Sequence, residues 1–221
     1  MFRKEYGLTG EWKLIMKSKN THEHDLLVDL HKLKEEFHKL KEEIRSDHAI
    51  NPQVEKNIRV LGVVLLIEEE FGAGVLQRAN EIPSKEIHYT RNQNMPLDSL
   101  PQSPAVAKEL GWDGSVEAAC HQFTSSDRSN KKYVSPDGKS EVIFDRSGNI
   151  VTASEDYGTY NFCDSRQDPV GHFYQDVLPW LLWGNDETDS TNMRQRLKAL
   201  IVYGSLEAVQ THEKYKISVT T

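Results

Sequence analysis

The sequence predicts an α+β protein: an N-terminal helical hairpin plus a small C-terminal module built on an antiparallel three-stranded meander with flanking helices. Three observations predict it. Over residues 21–80 apolar side chains recur at helical spacing, a proline-rich stretch follows, and over residues 131–153 the apolar period shortens to that of a strand, with turn residues between the runs. The chain has 221 residues, of which 37% are hydrophobic, enough to bury a sizeable core.

Asn20-Thr21-His22-Glu23 offers a helix start with acidic residues in its first turn. Leu26, Leu30, Leu33, Phe37, Leu40 and Ile44 then alternate spacings of four and three, a narrow seam suited to lying along a neighbouring helix. Asn51 and Pro52 read as the N-cap and first residue of a second helix. Val54, Ile58, Leu61, Leu65 and Ile67 make that helix apolar nearly all round, and Gly72 and Gly74 end it. Pro83, Pro96, Pro101 and Pro104 then mark a linker. This divides the chain into a helical region, 1–104, and an α+β module, 105–221.

Within the module a short helix is predicted from Ala105, and Ser115 caps another over 116–123. Lys132-Tyr133-Val134, Glu141-Val142-Ile143-Phe144-Asp145 and Ile150-Val151-Thr152-Ala153 read as three strands, joined by Ser135-Pro136-Asp137-Gly138 and Arg146-Ser147-Gly148-Asn149. Phe173 to Trp183 is dense in apolar and aromatic residues, and Pro179 lets a helix end or begin there. A further helix is predicted from Thr191 to about residue 209, with Met193, Leu197, Leu200, Ile201 and Leu206 inward, and residues 215–219 suit a last strand.

Charge narrows the function classes. With 27 basic and 34 acidic side chains the net charge is -7, which excludes an overtly basic nucleic-acid binder but allows a local patch. Residues 105–221 carry 12 basic and 17 acidic side chains, and Arg128, Lys131, Lys132 and Lys139 cluster against that trend. Cys120 and Cys163 fit neither a disulfide framework nor a zinc knuckle, which points to reduced thiols. The start of the chain has no apolar leader, so no signal peptide is expected and the producer's cytoplasm is the expected location. The densest apolar run, residues 60–67, is far shorter than the ~20 residues of a membrane span. His24, His31 and His38 form one stripe with Glu35 between, a face that could hold a metal but that reads better as solvated. No HExxH, CxxC or glycine-rich phosphate loop occurs, so no metal site and no cofactor is expected. No feature sets an oligomeric state.

The candidate chemistry lies in the module. His121 precedes the basic patch, and His172 stands in Gly171-His172-Phe173-Tyr174-Gln175-Asp176. Two histidines can divide general-base and general-acid work, and Lys132 beside them can stabilise an oxyanion. That set suits RNA cleavage through the substrate's own 2′-hydroxyl. Glu141 can stand in for either histidine as base, and Asp176, four residues after His172, can orient its imidazole. Arg128, Lys131 and Lys139 supply charge for a substrate, and Thr159, Tyr160 and Asn161 follow Gly158 with three polar tips. Cys163 near His172 also admits a thiol–imidazole pair, though no protease-type signature surrounds it.

Taken in succession, Lys132 to Gly138, Glu141 to Asp145, Gly148 to Thr152, Gly158 to Asn161 and His172 to Asn185 resemble the C-terminal toxin modules of bacterial polymorphic toxins. These include Rhs-type, contact-dependent and type VI secretion effectors, and the resemblance covers roughly residues 112–186. It implies an antibacterial effector delivered by a secretion system into a target cell's cytoplasm, with a cognate immunity protein as partner. Neighbouring toxin classes are often metal-independent RNases, which makes RNA the expected substrate by analogy. The alternatives are a non-enzymatic adaptor or immunity-like protein whose helices make the contact, and a toxin enzyme acting on NAD or on protein.

Overall fold

A computed structural model describes residues 21–46, 51–70, 82–92, 96–114, 118, 120–165 and 167–203. In chain order the helices are α1 (Thr21–Ser46), α2 (Pro52–Glu70), α3 (Lys85–Asn92), α4 (Pro104–Glu109), α5 (Pro169–His172), α6 (Leu178–Trp183) and α7 (Met193–Tyr203). A 3₁₀ turn covers Leu97–Ser99, and a π-helical turn, Phe173–Val177, joins α5 to α6. The strands are β1 (Lys131–Val134) and β2 (Glu141–Phe144). Asn20, Gly72, Gly74, Ser115, Leu206 and the predicted strand at 215–219 lie outside the described residues.

The predicted seam is the buried face of α1. Leu26, Leu33, Phe37 and Leu40 are buried, and Leu30 and Ile44 pack against the same core. Asn51 caps α2 as expected, its Oδ1 accepting from the Gln53 N–H at 2.8 Å with Pro52 at the first helical position. Both long helices lean chiefly on α7 and touch each other less. Ile58 and Leu61 of α2, Leu178 and Leu181 of α6, and Leu197 and Leu200 of α7 complete this core. Each such side chain taken from water is worth about 1.5–3 kcal/mol.

The end of α6 shows how tightly the helices are tied. Its last carbonyls have no partner within the helix and must find one elsewhere. Arg196, buried on α7, donates to Leu181 and Leu182, each at 3.1 Å. The Tyr89 hydroxyl donates to Trp183 at 2.9 Å, and His88 Nε2 lies 2.8 Å from the Gly184 carbonyl. A second, smaller core holds Leu100, Ala107, Tyr133, Val142 and Phe144, so packing crosses residue 104 in both cores.

The expected three-stranded meander is absent. The sheet has two strands, paired antiparallel with Lys132 opposite Ile143 and Tyr133 opposite Val142, in a helix-rich molecule. The third run fails because two segments share the outer edge of β2. Ile150 bridges to Phe144 and the Val151 N–H donates to Ile143, but the chain then leaves and returns only at Thr159 and Tyr160. There the Glu141 N–H donates to Thr159 at 3.0 Å, and Tyr160 bridges to Ser140. Gly158 permits the return, since a Cβ there would run into the backbone of Glu141 and Val142. Side chains along β2 alternate as a strand requires, with Val142 and Phe144 in the smaller core and Glu141 and Ile143 on the other face.

The short helix expected over 116–123 is not seen where the stretch is described: Ala118 and Cys120–Phe123 are irregular. The Asp156 carboxylate supplies the reason. Itself fully buried, it accepts from Phe123 N at 2.7 Å and Thr124 N at 2.6 Å, taking amide groups that a continuing helix would use. Pro179 is the second residue of α6, but the backbone ahead of it at Val177 and Leu178 is already helical, so it neither ends nor begins the helical stretch. The π turn just before it carries the helix through.

Candidate functional site

His121 is held from both sides along the chain. Cys120 and Phe123 pack against the helical core, while Asn130 Nδ2 donates to the His121 carbonyl at 2.8 Å. The Gln122 side chain closes the loop by donating to the Asn130 carbonyl at 2.9 Å. This turns the imidazole toward the face of the sheet that carries Lys132 and Glu141. Across that face Lys132 Nζ reaches Glu141 Oε1 at 3.0 Å, a diagonal cross-strand pair. Asn161 Nδ2 donates to the same oxygen at 2.8 Å, and His121 Nε2 lies 3.4 Å from Oε2.

Glu141 is 5% exposed, which by itself disfavours its charge. Burial pushes its pKa up, but Lys132, His121 and Asn161 together outweigh burial and hold the carboxyl well below the usual carboxylate range. An ionised carboxylate so surrounded has little lone-pair capacity left for a substrate proton. The expected alternative role as base is therefore less suited to Glu141 than orientation of His121. Lys132 is likewise engaged with the carboxylate rather than pointing at an open oxyanion position.

The second histidine has a parallel setting. His172 ends α5, and its Nδ1 lies 3.0 Å from the Cys163 carbonyl and 3.1 Å from Asp176 Oδ2. Both neighbours are acceptors, so Nδ1 carries a proton and the neutral ring keeps its lone pair on Nε2. Asp176 lies in the π turn and also accepts from Phe162 N at 2.7 Å and Cys163 N at 3.1 Å. It orients His172 as the spacing predicted. For His121 the geometry is reversed: Nε2 faces the carboxylate, and Nδ1 is buried with no hydrogen-bond partner among the described residues.

The two histidine–carboxylate pairs are linked through one segment. Asn161 contacts Glu141, and the next two residues contact Asp176, so one three-residue segment carries bonds to both. The Cys163 thiol is a poor nucleophile, because burial, with Asp168 and Asp176 nearby, pushes its pKa up to about 11. The remaining predicted residues are placed differently. Arg128 stacks its guanidinium over the Tyr203 ring, 3.2 Å from the centroid, and Lys131 and Lys139 are exposed. Thr159 and Tyr160 meet the sheet through their backbones.

Sequence reasoning missed Asn130, Asp156 and the Cys163 carbonyl, which position the histidines. Polar loop residues carry no periodic signal, and a backbone carbonyl carries none at all. On α1, His31 pairs with Glu35 at 3.3 Å and both are exposed. Among the described residues no three His, Cys, Asp or Glu side chains converge to hold a metal, and no helix is long and apolar enough to cross a membrane. Comparison with family models, curated proteins and solved structures finds no match to this chain.

Proposed function

We propose that this chain carries an antibacterial toxin domain that cleaves RNA in the cytoplasm of a target cell, with His172 and His121 as its acid–base pair. The observation that carries the reading is the two buried histidines linked through residues 161–163, each backed by a carboxylate: His172 Nδ1 by Asp176 at 3.1 Å and His121 Nε2 by Glu141 at 3.4 Å. In the reaction His172 Nε2 takes the proton of the substrate 2′-hydroxyl. The 2′-oxygen bonds to the adjacent phosphorus and the bond to the 5′-oxygen breaks. Protonated His121 returns a proton to that leaving oxygen, a step that requires its buried Nδ1 to be uncovered when substrate binds, and the product is a 2′,3′-cyclic phosphate. Such proton transfers contribute typically 10²–10⁴-fold each. The exposed Lys131 and Lys139 supply local positive charge on a chain whose net charge is -7.

The resemblance to polymorphic toxin modules supports delivery by a secretion system and a cognate immunity protein. Induction in a bacterial host, with RNA, DNA and NAD measured together, tests the reading. Growth arrest with loss of RNA, abolished by His172→Ala, is the expected result. Loss of NAD with intact RNA would move the substrate elsewhere. No arrest at all would favour the interaction protein.

A further inference from the structure

Asn161 was expected to touch substrate, but its surroundings give it other work. It is 6% exposed, and its carboxamide donates to Glu141 Oε1, the oxygen that Lys132 also holds. Its own N–H donates to the Lys139 carbonyl at 2.6 Å, which anchors the backbone at the same point. The next two N–H groups, those of Phe162 and Cys163, both end on Asp176. Asp176 and the Cys163 carbonyl then hold His172 Nδ1. A continuous hydrogen-bonded path thus runs from His121 through Glu141 to Asn161, along two peptide groups, and through Asp176 to His172.

We propose that Asn161 is a positioning residue that sets the separation of His121 and His172, gripping Glu141 with its carboxamide and Asp176 with the two peptide groups that follow. Two residues of extended chain span at most about 7 Å. A displacement of Asn161 is therefore transmitted to both histidines, whereas a change at either carboxylate acts first on its own ring. Phe162 lies between the anchors, its N–H on Asp176, and the residue is 39% exposed. The inference rests on the acid–base reading of the two histidines. Its test has one arm that does not depend on that reading.

Full-length protein labelled with ¹⁵N-histidine reports the ring nitrogens directly. The groups facing His121 are Glu141 and, through it, Lys132; those facing His172 are Asp176, with Cys163 and Asp168 beside it. None of these is altered in Asn161→Leu. In that variant the ring signals of both histidines should move, and kcat for RNA should fall about 10²-fold with KM little changed, as expected for a misplacement of about 1 Å. Phe162→Ala should leave both rings as in the wild type. If Asn161→Leu does not fold, Asn161→Ala, which removes the donor without adding bulk, carries the same expectation. Movement of the His121 signals with His172 unchanged would overturn the proposal, as would two unmoved rings. A wild-type protein inactive on RNA would defeat the proposed function, while the ring signals would still decide the role of Asn161.

Discussion

Glu141 is the most tightly held charge near the site, and its environment sets a pH dependence. Its folded-state pKa is depressed below the ordinary 4.5, so the stability it contributes is fully present above that value and is lost as pH falls toward the folded one. Glu141→Gln should therefore destabilise the protein at neutral pH, and the gap to the wild type should narrow as pH drops below 4.5. Removing one partner of a buried pair costs about 3–5 kcal/mol, and the low end applies because the Lys132 side chain keeps 15% exposure. Urea midpoints at two pH values check both statements. At His172 the expectation concerns activity: His172→Ala should cut RNA cleavage by a factor of about 10²–10⁴ with the fold intact. The same change at the exposed His31 should be silent in growth and cleavage assays. For Cys163, a thiol raised from 9.0 to about 11 should alkylate roughly 10²-fold more slowly at pH 7 than an unperturbed one, as followed by mass spectrometry.

At the scale of elements, the sheet depends on the return of the chain to β2. Gly158→Ala puts a methyl group into the Glu141 backbone and should cost about 1–3 kcal/mol, as overpacking does. Because the same contact fixes where Glu141 leaves the sheet, the variant should also lower RNA cleavage at permissive temperature. A urea midpoint equal to that of the wild type would show that the edge yields without strain. The π turn ahead of α6 has a similar double effect. It carries the helix to Pro179 and holds Asp176, so the element that satisfies the backbone also orients His172.

Across the whole molecule, the long helices and the site-bearing segments share a core. Leu33→Ala on α1, far from either histidine in sequence, should destabilise the protein by about 2–5 kcal/mol, because Leu33 is buried in the core that residues of α6 and α7 also form. Signals of His172 should disappear in the same unfolding transition as the helical circular dichroism. If the histidine signals survived after the helices melted, the two parts would be energetically separate.

Periodicity by itself determined the seam of α1, the Asn51–Pro52 start of α2, the two short strands with their first turn, and the inward face of α7. Those features follow from local rules: side chains repeat at the helical or the strand period, and caps are read within a few residues. Spacing also determined that Asp176 backs His172, since residues four apart meet on a helix. The tertiary structure alone decided that the run at 150–153 forms no third strand. Whether an edge is free depends on what else returns to it, and here residues 159–161 take it. It alone decided that residues 120–123 are irregular, because the Asp156 carboxylate that takes the Phe123 and Thr124 amides comes from more than thirty residues away. It also placed Lys132, expected as a catalytic lysine, and Asn161, expected at the substrate, against Glu141. A buried carboxylate needs compensating charge and donors, and which side chains supply them is settled only when distant segments pack.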